Sequence, residues 1–95
     1  DAAHIGLCLL ARDEAETAAE LFSYLEMRAL SLARQWNIRC TVNTPAETLP
    51  VSEETAIECE FLLREAISNA AQHAGAEHIR MAMTVEDNTL LVTLR

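Results

Sequence analysis

Lysine is absent from the 95 residues, and all seven basic side chains are arginine, set against 15 Asp and Glu for a formal charge of -8. A free-standing nucleic-acid binder, or a binder of anionic membranes, needs the opposite balance, because counterion release and surface potential both reward clustered positive charge. Glycine is nearly absent as well: only Gly6 and Gly75, far apart. A phosphate-cradling loop of the Walker or dinucleotide type needs several close together, so that backbone reaches phosphate without Cβ clashes. The three cysteines, Cys8, Cys40 and Cys59, are odd in number and far from any metal or redox spacing. They read as small buried residues in a reducing compartment. No apolar run approaches the ~20 residues of a membrane helix, and no secretory h-region opens the chain. The expectation is a cytoplasmic polypeptide, attached to a membrane only through segments outside these residues. A start at Asp1 instead of Met suggests a piece of something larger.

What the chain does hold is apolar substance, 51% of its residues, enough for one small core and too short for two. Residues 1–36 contain no proline and are rich in helix formers, which predicts a helical lead-in. Asp13 and Glu16 have capping-box spacing, so one helix runs through or a second begins there. His4, Cys8, Ala11, Ala15, Ala18, Phe22, Leu25, Ala29, Leu32 and Trp36 follow alternating steps of four and three, the seam of a coiled coil. An Ala-rich helix fills almost any register, so a self-associating seam and an ordinary packed helix both stand. Residues 37–95 read differently. The β-branched alternation of Ile38 to Thr44 predicts a strand with Ile38, Cys40 and Val42 on one side. Pro45 to Pro50 is a loop, and Ser52 is placed to cap a helix running to about Ala74, with Gly75 at its end. Strands over His78–Glu86 and Thr89–Arg95 follow, joined by a turn at Asp87-Asn88. The sum is an α+β, two-layer α/β sandwich fragment behind a long N-terminal helical segment.

The helix begun at Ser52 carries the chemistry. At about 100° per residue, Cys59, Leu62, Leu63, Ala66, Ile67, Ala70 and Ala74 share one apolar arc. Glu65, Asn69 and His73, four apart, climb the edge of that arc, each turned about 40° from the last. Carboxylate and carboxamide oxygens there suit Mg²⁺, which keeps several waters. A partly desolvated carboxylate beside them suits the orientation or deprotonation of a nucleophile. Such spacing also arises on helices whose polar border is merely solvated.

The wording of Phe61 to His78, FLLREAISNAAQHAGAEH, resembles the N-box of the GHKL ATPase superfamily, and more narrowly the ATP-binding (HATPase, Bergerat-type) catalytic domain of sensor histidine kinases of the nitrate/nitrite-sensor class. The order of elements over about residues 17–95 is similar to the family's. The resemblance implies that Asn69 ligates a Mg²⁺ bridging the phosphates of ATP, with Glu65 beside it as the N-box acid, acting as base or polarising the attacking group. It places His73 near the phosphates, where a hydrogen-bonded border histidine is the plainer reading. Gln72 stands where the family commonly has Lys or Arg, which removes a cation that would neutralise phosphate charge. Arg64 fits the wording but points away from the core arc, toward solvent or an interface.

The chain ends at LLVTLR, before the Asp-x-Gly motif and the Gly-rich lid, and His4 lacks the surroundings of a phosphoacceptor. The resemblance therefore implies part of a histidine kinase whose parent transfers the ATP γ-phosphate to a histidine on its own phosphoacceptor helices, for relay to a response regulator, as a homodimer. These residues alone are expected to be inactive. The alternatives are an anti-sigma-type serine kinase domain, or a non-catalytic helical dimerisation module with a vestigial N-box. The last strand is expected to present an unpaired edge.

Overall fold

A computed structural model describes residues 3–9, 19–73, 75, 77–87 and 89–94, with residues 3–9 and 19 described by backbone alone. Its elements run β1 (Ala3–Leu9), β2 (Ala19–Glu20), α1 (Leu21–Gln35), β3 (Arg39–Asn43), β4 (Pro50–Val51), α2 (Glu53–His73), β5 (His78–Glu86) and β6 (Thr89–Leu94).

Four strands form one sheet in the order β1-β6-β5-β3. β5 and β6 make the hairpin expected around Asp87-Asn88, with Glu86 opposite Thr89 and Asp87 at φ 49°. β3 runs parallel to β5, Cys40 opposite Ile79 and Val42 opposite Met81. A parallel pair needs a crossover, and the loop, β4 and α2 supply it. Alternation puts Ile79, Met81, Met83, Leu90 and Val92 on the buried face. Arg39, Thr41, Arg80 and Thr84 lie exposed on the other. α1 contributes Leu21, Phe22, Leu25, Ala29, Leu32 and Ala33 to the core; α2 contributes Ala56, Cys59, Leu63, Ile67 and Ala70. The result is two layers, helices on one side and an open sheet face on the other. Truncating Leu63 or Ile67, both essentially fully buried, costs about 2–5 kcal/mol each.

The helix ends follow local rules. Ser52 caps α2 as expected: its Oγ accepts the Thr55 N–H at 3.2 Å, and Glu53 and Glu54 fill the first turn. α1 stops at a Schellman turn in which Asn37, at φ 58°, donates its N–H to Arg34 O at 3.0 Å. Ile38 donates to Ala33 O at 2.9 Å and buries its side chain among Leu32 and Ala33. Beyond α2, Gly75 takes φ 58°, where a side chain would be strained even though a Cβ there meets nothing within 4 Å.

Three expectations need correction. The lead-in over residues 1–36 is not one helix, since Ala3–Leu9 is a strand and α1 starts only at Leu21. The sequence AHIGLCL alternates with period two and contains Gly6, which costs a helix about 1 kcal/mol relative to Ala, while β6 offers it a pairing edge. The coiled-coil seam drawn through His4 and Cys8 is broken there, and Asp13, Glu16 and the seam positions Ala11, Ala15 and Ala18 lie outside the described residues. Nor is the last strand an unpaired edge: β6 is held by β5 on one side and β1 on the other. The edges of the sheet are β1 and β3, each without an outer strand partner among the described residues. Finally, the Pro45–Pro50 loop does not lead straight into the α2 cap, because Pro50 opens a short strand that was not expected. β4 pairs antiparallel with β2, Glu20 opposite Pro50. The Glu20 carboxylate caps α1 by accepting from Phe22 N (3.0 Å) and Ser23 N (2.8 Å), and takes the Leu49 N–H at 2.9 Å. Burial opposes its charge, but these donors outweigh burial and hold its pKa below the usual glutamate value.

Candidate functional site

α2 has two polar edges flanking its buried arc, and they are built for different ends. Glu60 belongs to the first, where α2 meets α1. Its carboxylate accepts the Tyr24 hydroxyl hydrogen through Oε1 and pairs through Oε2 with Arg28 Nη2 at 3.0 Å and Arg64 Nε at 3.3 Å. Only 12% of the Glu60 side chain is exposed. Burial favours the neutral acid, yet the Tyr24 bond and the Arg28 and Arg64 guanidinium groups outweigh it and keep the pKa below the ordinary value. The same bond, with burial, raises the Tyr24 pKa, because ionising the phenol would put two negative charges together. Arg28 Nε is buried without a hydrogen-bond partner among the described residues. This cluster fixes one helix against the other.

Nine residues at about 100° each bring Asn69 half a turn around from Glu60, so its edge faces away from α1. Glu65, Asn69 and His73 all stand exposed on that edge, and among the described residues none makes a hydrogen bond or ion pair. The rising spacing read from the sequence is therefore real in three dimensions, and the three groups share one helix edge. Gln72 is exposed too, but its amide nitrogen donates to Ser68 Oγ at 3.1 Å and lies along the outer helix face. A hollow of about 540 Å³ lies between Phe22, Pro45, Leu49 and Val85, and another of about 300 Å³ lies beside Leu30, Arg34 and Ile38. Neither is lined by Glu65, Asn69 or His73.

The donor set nevertheless suits a hydrated Mg²⁺. Asn69 and Glu65 offer hard oxygens that no bond among the described residues occupies. No group of three His, Cys, Asp or Glu side chains among the described residues is disposed to cage a metal alone. An ion here would have to keep waters or arrive with phosphate oxygens. Arg64, the basic residue within the N-box wording, is turned to Glu60, which leaves His73 as the basic residue on the Asn69 edge among the described residues.

Sequence reasoning missed the Glu60 cluster. The Glu60–Arg64 spacing of four was a signal, but only the packing of α1 brings Tyr24 and Arg28 to it. Arg64 is exposed and bonds Glu60 one turn earlier on the same helix.

Comparison with known proteins gives one kind of relative. Over 64 residues, 67% of the chain, it is 36% identical to the sensor histidine kinase MtrB of Mycobacterium bovis and to that of Mycobacterium tuberculosis. The chain spans 11% of those relatives' length. No protein-family model matches it. No solved structure matches it significantly. The match relates the chain to sensor histidine kinases. No helix among the described residues is long and apolar enough to cross a membrane.

Proposed function

We propose that the chain is part of the ATP-binding catalytic domain of a two-component sensor histidine kinase, of GHKL type, with α2 as its N-box helix. The observation that carries this reading is the coincidence of two facts. The relatives are sensor histidine kinases, and the acid, amide and imidazole that the N-box wording singles out sit together on one helix edge, with no hydrogen bond or ion pair among the described residues.

In this reading Asn69 Oδ1 supplies the protein's ligand to Mg²⁺, and Glu65, one turn earlier, orients a water of the ion or polarises the attacking group. His73, one turn later, offers a hydrogen bond or a partial positive charge to phosphate oxygens. Bound Mg²⁺ would supply the charge neutralisation on which phosphoryl transfer depends. The opposite edge of α2 contributes rigidity: Glu60, bonded to Tyr24 and Arg28, fixes the rotation of the helix about its axis and so the direction of the Asn69 edge. The phosphoryl group would pass to a histidine on the parent's own helices and then to a response regulator, with the parent a dimer in the cytoplasm. The 95 residues alone would not catalyse.

An anti-sigma-type serine kinase domain is the second reading. A helical lead-in argued against it, and β1 replaces the first part of that lead-in. The names of the relatives favour the histidine kinase.

The test is Mg²⁺-dependent ATP binding and autophosphorylation by the full polypeptide that carries this segment. Asn69→Ala should abolish Mg²⁺-dependent binding and phosphorylation, with helicity unchanged. An unaltered variant would refute the role of Asn69. A phosphoserine on a partner protein, in place of an acid-labile phosphohistidine, would select the second reading.

A further inference from the structure

Positive charge in this acidic chain is unevenly neutralised. Of the five arginines with described side chains, Arg28 and Arg64 pair with Glu60, whereas Arg34, Arg39 and Arg80 make no ion pair with a described carboxylate. All three lie around one feature, the outer edge of β3. Arg39 begins that strand, and Arg80 on β5 sits opposite Thr41, on the same open sheet face as Arg39. His78, opposite Arg39, joins them and shares a 2.9 Å hydrogen bond with Thr41 Oγ1. Arg34, at the end of α1, lines the hollow of about 300 Å³ beside the strand together with Leu30, Ile38 and Cys40. Glu77 gives its backbone carbonyl to Arg39 N at 3.1 Å, but its carboxylate makes no ion pair with Arg39.

β3 has a second edge with no strand partner among the described residues. An edge of this sort is a template for another strand, and sheet proteins commonly guard it with charge, proline or a bulge. Its only charged residue is Arg39, which repels basic strands and attracts acidic ones. We propose that the free edge of β3 is a docking surface for an acidic, extended segment of another protein, added as a fifth strand of the sheet. Side chains of an incoming strand alternate in direction. Those directed to the open face meet Arg39 and Arg80. Those directed to the helix layer meet the hollow, where Leu30 (38% exposed) and Ile38 offer apolar contact and Arg34 a rim charge. Carboxylates at alternate positions, interleaved with aliphatic residues, match both faces. A second copy fits less well: β3 carries no carboxylate, so edge-to-edge pairing would gather arginines without counter-charge. The surface lies on the α1 side of the sheet and does not depend on the kinase reading.

The test uses the 95-residue chain and the peptide acetyl-Glu-Val-Glu-Val-Glu-Val-Glu-amide, followed by calorimetry and by the fluorescence of Trp36, the one tryptophan, which is 43% exposed next to the hollow. The peptide should bind at least tenfold more tightly than its Lys-for-Glu counterpart, weaken in 0.5 M salt, and lose binding when its backbone nitrogens are methylated. The Arg39→Glu, Arg80→Glu double variant, with circular dichroism unchanged, should lose at least tenfold. Equal binding of the Lys peptide or of the methylated peptide would overturn the proposal, as would no binding at millimolar concentration. A dimer of the unmodified chain that the double variant dissociates would also overturn it, by putting a second copy at the edge.

Discussion

Replacing Glu60 removes the one group that Tyr24, Arg28 and Arg64 all share, and the cost can be worked from the geometry. Glu60→Ala takes away the acceptor of the Tyr24 hydroxyl and the partner of Arg28 at 3.0 Å, and leaves the Arg28 guanidinium, 29% exposed, without a carboxylate. Arg64 is half-exposed at 3.3 Å, so its share is about 0.3–0.5 kcal/mol, that of an ordinary i,i+4 pair. Breaking a buried pair from one side costs about 3–5 kcal/mol, and the partial exposure of Arg28 puts the expectation at the lower end, about 3 kcal/mol. For a domain of this length that lowers Tm by roughly 12–24 °C. Glu60→Gln keeps the acceptor and loses the charge, so about half that loss is expected. The pH dependence fixes the mechanism. A carboxyl whose folded pKa is depressed contributes stability above its unfolded value, ordinarily 4.5, and loses it as pH falls through the folded value. The gap between the unmodified chain and Glu60→Gln should therefore be constant from pH 6 to 8 and close on acidification below about pH 4.5. Tyr24, whose pKa is raised above 10.0, gives the opposite limb: its contribution is complete below 10.0 and fades as pH rises through the higher folded value. Urea titrations read by circular dichroism, with a Tyr24→Phe/Glu60→Gln double-mutant cycle, measure the coupling directly. Additive losses in that cycle, or a Glu60→Gln penalty unchanged at low pH, would refute a charged hub between the helices.

Two further expectations concern helix ends. Ser52→Ala deletes the side chain that accepts the Thr55 N–H and should cost about 1 kcal/mol in urea unfolding, with Ser52→Asp close to neutral. Asn37 at φ 58° sets the Schellman turn, so Asn37→Gly should be neutral or stabilise slightly. Asn37→Val should destabilise by about 1–2 kcal/mol, and equal melting temperatures for the two would count against the turn.

The second half of the chain was readable because local signals there agree with one another. Ser52 caps, Glu53 and Glu54 suit the helix start, the apolar arc has helical period, and the hairpin has a natural turn pair; each recurs in the structure. The first half misled for an equally physical reason. Ala, Leu, Glu and Arg favour helix by propensity, but propensity is worth only tenths of a kcal/mol per residue, whereas pairing with β6 satisfies a whole row of backbone groups. No local pattern announces that a strand near residue 3 will meet one near residue 94. The same limit hid the Glu60 cluster and the bond from Leu49 to Glu20, whose partners are 36 and 29 residues away in sequence. For the candidate site, helical spacing was enough to put Glu65, Asn69 and His73 on one edge, but whether a wall stands across from them depends on residues that spacing does not address.

Charge sets the last expectation. A nucleoside triphosphate approaching the Asn69 edge meets an acidic chain, with His73 the basic residue there among the described residues and Arg64 turned to Glu60. On the kinase reading, binding must then depend strongly on Mg²⁺, and a cation restored at position 72 should help. Gln72 is exposed and engaged only with Ser68, so Gln72→Arg gives up a single surface hydrogen bond. A guanidinium about 6 Å from one phosphate charge gains roughly 0.7 kcal/mol at the dielectric of water and about 2.8 kcal/mol at an effective dielectric of 20. That converts to an affinity gain of roughly threefold to a hundredfold, with the low end expected for so open an edge. Titrating the full polypeptide with ATP, with and without Mg²⁺ and at two salt concentrations, separates the terms. Gln72→Arg should tighten binding, chiefly at low salt, and relax the requirement for Mg²⁺. An affinity that ignores the new charge at low salt would mean that the phosphates do not lie along this edge of α2, and the site would have to be sought elsewhere on the molecule.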